Sequence, residues 1–196
     1  MTLELWNTFA TFGTFIVISA TAIAALVQLR HARTSNQIAA LAPLQDFFQT
    51  PQYLDAAHSV NVELANKLKD PEFRYQVGNR HARTRENEVL IARANSIGNF
   101  FGNLGFLVKT GIISRELAVN IWWNHAVARW DDLRLFTAII RHTQGEVWTD
   151  FEYFVVLSQD YIAAHPAGSY PVGVRRLALD YEFLEADKQY AASRVA

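Results

Sequence analysis

From Trp6 to Leu29 the chain carries no charged side chain, and the run ends on Arg30, His31 and Arg33. A bilayer's hydrocarbon core, about 30 Å thick, is crossed by roughly 20 apolar residues of helix rising about 1.5 Å each. The run is long enough, and in lipid its backbone groups must bond to one another, so this part of the chain is committed to one helix. No later stretch repeats it: the best rival, Ala94 to Val108, is broken by three asparagines and three glycines. The expected organisation is therefore a membrane anchor over 1–33 followed by a single domain over 34–196, a size at which one hydrophobic core suffices.

Charge gives the anchor a direction. Only Glu4 is charged before the run, whereas Arg30 and Arg33 follow it at once. The positive-inside rule then puts the N-terminus outside and the following domain in the cytoplasm. A cleavable signal is the rival, since Ala20-Thr21-Ala22 has the small residues of a cleavage site, but the leading MTLEL lacks the positive charge such signals carry. Within the run, Gly13, Val17, Ala20, Ala24 and Gln28 are spaced by four, three, four and four residues and form one stripe of mostly small side chains. A second helix can approach such a stripe closely, and Gln28 would bring an amide to the contact.

The formal net charge is −1, so no overall field attracts nucleic acid, and the basic residues lack the interleaved aromatics of a nucleic-acid surface. Residues 30 to 93 carry nine Lys and Arg against seven Asp and Glu, so the basic half is the half nearer the anchor. Its densest part, Arg80, His81, Arg83 and Arg85, joins Arg30 and Arg33 as candidate contacts for anionic headgroups, where each basic residue near the surface contributes about 1 kcal/mol. With no cysteine, disulfides, thiolate metal sites and cysteine nucleophiles are excluded.

Beyond the anchor the pattern is helical. Thr50-Pro51 and Asp70-Pro71 each pair an N-cap with proline at the first helical position, which predicts helices near 51–68 and 71–78. Leu90, Ala94, Ile97, Phe101, Leu104 and Val108 define a buried stripe over 86–109, ended by Gly111. Ser114 caps a longer helix with Trp123, Val127, Trp130, Leu133, Phe136 and Ile140 on one side, stopped by Gly145. Thr149 and Glu152 read as a capping box. After a loop from His165 to Gly173, Leu177, Tyr181 and Leu184 suggest a last helix with a fraying end. Pro43 predicts a bend or break near Leu41. No hairpin signal occurs, so the expected fold class is all-α: one transmembrane helix and a bundle of five or six helices.

The segments Asn95-Ser96-Ile97-Gly98-Asn99-Phe100, Leu107-Val108-Lys109-Thr110-Gly111-Ile112-Ile113, Trp130-Asp131-Asp132-Leu133, Arg141 and Phe151-Glu152-Tyr153-Phe154 resemble a bacterial family. Its members have one N-terminal span and a helical cytosolic domain of unknown function. The resemblance implies architecture and supplies no catalytic residues; with a bacterial family and the charge asymmetry, the expected location is the inner membrane.

Catalytic signatures are absent: there is no phosphate-binding glycine loop with lysine, no H-E-x-x-H and no G-x-S-x-G. No catalytic residue, metal ligand set or cofactor site is expected. The glycines in Gly102-Asn103-Leu104-Gly105 point to close helix packing. Asn95, Asn99 and Asn103 line one helical stripe as a polar seam or a wet face, while His125 reads as a packing histidine beside Trp122 and Trp123. Asp131 and Asp132 suggest a solvated face or an ion pair with Arg129 or Arg134.

Two functions follow from this reading. The first is a membrane-anchored interaction or accessory protein that works with a protein partner or a second copy of itself, using the anchor stripe, the basic residues and exposed aromatics around Trp122, Trp123 and Trp148. The alternative is a membrane-tethered enzyme or ligand-triggered effector with a pocket lined by Asn99, Asn103, His125 and Arg141. A pore of several spans is disfavoured by the scarcity of polar residues in the run.

Overall fold

The apolar run is part of α1 (Leu3–Phe48), one helix of 46 residues and about 69 Å. The computed structural model describes residues 3–166, 168–171 and 173–195. Within α1 an 18-residue window reaches a mean hydropathy of 2.0 with none of it buried, so the helix is long and apolar enough to cross a membrane. One polar group of the run bonds within the helix: the Thr21 hydroxyl donates to the Val17 carbonyl at 2.8 Å. That bond spares the hydroxyl from facing an apolar medium unpaired.

The expected break at Pro43 is not made, and α1 continues through it to Phe48. Proline costs the helix one backbone bond and a steric clash. Here Leu41 is buried and Ala40, Leu44 and Phe48 pack against the core, so tertiary contacts hold the last turns in place.

Helix α2 (Pro51–Ser59) passes through a π turn (Val60–Leu64) into α3 (Ala65–Lys67), and α4 (Pro71–Gly78) follows. Both proline starts are as expected: Thr50 accepts from the Tyr53 N–H at 3.2 Å, and Asp70 from Glu72 at 2.9 Å. A short 3₁₀ turn (Arg80–Ala82) leads to α5 (Arg85–Lys109), whose six periodic apolar residues are all buried. Gly111, at a φ of 74°, closes it. Helix α6 (Arg115–Gln144) is capped by Ser114 and ended by Gly145 at a φ of 84°. In its first half the core stripe is shifted by one residue, to Ala118, Val119, Trp122 and Ala126, and Trp123 is only half-buried.

Helix α7 (Thr149–Ala164) lies against both α5 and α6, while α2 packs on α5 and α4 on α6. The expected capping box is absent. Trp148 occupies the N-cap in a left-handed conformation, Thr149 is already helical, and the Glu152 carboxylate pairs with Arg141 at 2.7 Å. Gly145 and Trp148 both adopt positive φ, and with the Trp148 ring seated over Gly98 the chain enters α7 one residue earlier than the box requires.

The α5–α7 contact depends on two glycines. A Cβ at Gly105 would lie 1.9 Å from the Asp150 carbonyl oxygen, and one at Gly98 would lie 2.3 Å from the Trp148 ring. At Gly102 the nearest atom is 3.9 Å away. Close packing is therefore what the glycines of this segment serve, with Gly98 and Gly105 at the contact and Gly102 beside it.

The chain forms two compact units, Met1–Pro166 and Ala167–Ala196. In the second unit the last helix starts later than expected: α8 (Leu184–Val195) excludes Leu177 and Tyr181. Ala196 lies outside the described residues. Among the described residues every element is helical or a turn, so the fold class is all-α.

Substituting the three glycines separates these roles. Gly105→Ala and Gly98→Ala should each destabilise the domain by about 2 kcal/mol or more through overpacking. Gly102→Ala should be neutral or stabilise by up to about 1 kcal/mol through helix propensity. Chemical denaturation of the three variants measures the order, and equal effects at all three positions would refute the packing account.

Candidate functional site

Two places gather the side chains singled out from the sequence: the end of α1, and the polar surface around Trp148. At the first, α1 reaches the bundle through paired aromatics. The Phe48 ring centroid lies 4.6 Å from Tyr53, 5.6 Å from Phe100 and 4.9 Å from His125, while Phe47 stacks on Phe100 at 5.8 Å. Aromatic pairs at these separations contribute roughly 0.5–1.5 kcal/mol beyond their buried area. Tyr53 and Phe100 are buried, so the junction is part of the core. Burial pushes the Tyr53 phenol well above its ordinary range, with the Arg129 charge acting in the opposite sense.

His125 is exposed, and the ring it packs against is not the one expected. Its ring meets Phe48 of α1 edge-on, whereas Trp122 is buried near Phe100 and Trp123 faces Tyr161 at 6.4 Å. Desolvation, with the Arg129 charge adding to it, lowers the His125 pKa. Arg129 itself donates to the Ala57 carbonyl at 3.0 Å and pairs with Asp132 at 3.1 Å, which gives Asp132 an ion-pairing role.

At the second place, Trp148 stands in a left-handed backbone conformation, φ 57° and ψ 35°, that bulky residues rarely adopt. Three contacts hold it. The indole N–H donates to Asn99 Oδ1 at 2.9 Å, the ring stacks on Phe136 at 6.1 Å, and its edge lies over the space that Gly98 leaves open. Arg141 pins the chain just before it by donating from Nε to the Val147 carbonyl at 2.9 Å. A cavity of about 440 Å³ beside Trp148 is lined by Asn99, Asn103 and Asp150 among others. A second, of about 600 Å³, includes Asn95, Asn99, Arg80, His81 and Arg83.

The four residues of the expected pocket do not converge. Asn99 and Asn103 share a cavity, His125 faces Phe48, and Arg141 is engaged by Val147, by Glu152 and by the Trp130 ring at 5.7 Å. His125 and Arg141 lie sixteen positions, about 24 Å, apart along α6, while Asn99 is turned to Trp148 at the entry to α7. The expected aromatic surface is corrected too. Trp122 is 1% exposed, and Trp123 and Trp148 are packed against the core.

Among the basic residues, Arg83 is committed, donating to the carbonyls of Gln76 and Val77 at 3.2 Å each. Arg80 and Arg85 are exposed, as are Arg30 and Arg33 at the foot of the apolar run. The anchor stripe Gly13, Val17, Ala20, Ala24 and Gln28 is exposed along its length, and a Cβ at Gly13 would meet nothing within 4 Å. One organising residue escaped the sequence reading: buried Gln76, whose Oε1 accepts from the Thr84 N–H at 3.1 Å and the Asn87 amide at 2.9 Å, tying α4 to the start of α5. A glutamine in a short polar helix carries no periodic signal that would reveal this.

The family model for a domain of unknown function, DUF4760, matches residues 15–156. The chain belongs to that family. The match begins inside α1 and ends inside α7, so the DUF4760 region holds most of the apolar helix, the aromatic junction and the Trp148 surroundings, and stops before the second unit. No curated protein and no solved structure matches the chain.

The junction histidine has a consequence for stability. The lowered His125 pKa means the folded protein takes up this proton less readily than the unfolded chain, whose histidine titrates near about 6.5. Stability from this group is full above that value and falls as the pH drops below it. The loss should be a fraction of a kcal/mol, because the ring is partly open to solvent. Urea unfolding at pH 7.5 and pH 5 should show a smaller acid loss in His125→Phe than in the parent; equal losses would contradict the assignment.

Proposed function

We propose that this protein is a membrane-anchored interaction or accessory protein. Helix α1 crosses the bacterial inner membrane with its N-terminus outside, and the helical domain works in the cytoplasm by association with a protein partner or a second copy of the chain. The observation that carries this reading is the state of α1: none of its most apolar window is buried by the protein's own residues. In lipid such a helix gains by packing against another helix, and small residues allow the closest approach. The stripe from Gly13 to Gln28 offers that face, and nothing in the chain's own packing requires a glycine at position 13. Arg30 and Arg33 then sit at the level of anionic headgroups on the cytoplasmic side, which favours the stated orientation.

The aromatic junction gives the association something to act on. Phe47 and Phe48 join the core aromatics, and Ala40, Leu41 and Leu44 pack with them, so the end of α1 is attached to the domain over residues 40–48. The alternative, a ligand-responsive domain, is favoured by a different observation, the polar cavity beside Trp148.

Analytical ultracentrifugation of the full chain in mild detergent tests the association. Gly13→Ile with Ala20→Ile should weaken self-association or release a co-purified partner by tenfold or more while the melting temperature of the domain stays unchanged. A strictly monomeric parent protein with no co-purifying partner would refute the proposal.

A further inference from the structure

The cavity of about 600 Å³ between the 3₁₀ turn, α5 and the entry to α7 has the chemistry of an anion site. Its walls come from three separate places in the chain. Asn79, Arg80, His81 and Arg83 lie at the turn, Asn95 and Asn99 on α5, and Gln144 with Trp148 at the α6–α7 connection. No acidic residue lines it. Ligand cavities commonly measure about 300–1,000 Å³, so the space suits a small molecule rather than a bare ion.

Several of the donors facing this space are free. Among the described residues, the side chains of Arg80, His81, Asn95 and Gln144 make no hydrogen bond or ion pair, although carboxylates elsewhere on the domain pair with Lys67, Arg93, Lys109 and Arg141. Arg83 is held rigidly from the other side: its Nε and one Nη bond the Gln76 and Val77 carbonyls, which leaves the remaining Nη uncommitted. Asn99 accepts from the Trp148 indole through Oδ1, so its amide N–H groups stay available. The backbone of the turn is fixed as well, since Asn79 accepts from the His81 N–H at 3.2 Å and donates to the Tyr75 hydroxyl at 2.9 Å. Two guanidinium groups, a histidine and several amides with no competing carboxylate favour an anion. A phosphate offers three acceptor oxygens to donors arriving from three directions, where a carboxylate offers two. Ile140, Val147 and the Trp148 ring supply an apolar wall for the rest of the molecule.

We infer that this cavity binds a small molecule through a phosphate group, with Arg80 and Arg83 as its cationic contacts, Asn95 and Asn99 as amide donors and Trp148 as the wall. The site does not depend on the association proposed above. The phosphate could belong to a soluble metabolite or to a lipid headgroup, and the two sources are separable.

The test uses the full chain in a zwitterionic detergent. Inorganic phosphate, adenosine 5′-monophosphate and dihexanoyl phosphatidic acid are titrated separately, with binding read by calorimetry and by the shift in melting temperature. Arg80→Ala and Asn95→Leu remove donors that have no structural partner, so the unliganded variants should melt as the parent does. Each should weaken binding tenfold or more. Binding of phosphate or the nucleotide, lost in these variants, identifies a soluble ligand; binding of the lipid alone, lost in the same way, identifies a headgroup. The inference is overturned if none of the three binds, or if binding is indifferent to both substitutions.

Discussion

The close approach of α7 to α5 is the constraint on which the rest of the domain depends. Gly105 lets the Asp150 carbonyl come to within the space a side chain would fill, and Gly98 does the same for the Trp148 ring. Once α7 is seated there, Phe151 stacks on Phe101 at 5.0 Å and meets Trp130 edge-on at 5.0 Å, so one residue of α7 closes the core against both long helices. Lys109 pairs with Asp150 and Arg141 with Glu152, fixing the first turn of α7 from both flanks. These acidic residues also lie where the helix dipole favours negative charge. The left-handed Trp148 is a local cost that this packing offsets.

The same residues that settle the core also shape the surface beside it. Trp148 is a core contact on one side and a cavity wall on the other, and Asn99 holds it there with one oxygen while leaving its amide donors free. Arg83 likewise caps the carbonyls at the end of α4 and still lines the cavity. Trp148, Asn99 and Arg83 are thus held in place before a ligand arrives, whereas the exposed and unpartnered Arg80 and Gln144 would still have to be ordered by it.

Much of this was legible in the chain because it rests on local physics. The α5 stripe from Leu90 to Val108, the proline starts at Pro51 and Pro71, and the stops at Gly111 and Gly145 all follow from periodicity, capping and backbone freedom. What escaped depends on residues far apart in sequence. Pro43 does not end α1 because Leu41 and Phe48 are held by the bundle, and the box at Thr149 fails because Trp148 is drawn toward Gly98. The site residues show the same division. Asn99 and Asn103 share a stripe and a cavity as their spacing requires, whereas the orientation of His125 and Arg141 is set by α1 and α7, which no pattern within α6 records.

The unbroken course of α1 fixes a rotational phase. A helix turns by about 100° per residue, so the angle between the Gly13–Gln28 face and the face of the bundle is set by the number of residues between Leu29 and Leu41. One residue more or fewer there would swing the domain by more than a quarter of a turn about the helix axis, while four more would nearly restore its bearing. The segment from Arg30 to Asn36, exposed on all sides, thus acts as a gauge whose length sets that angle.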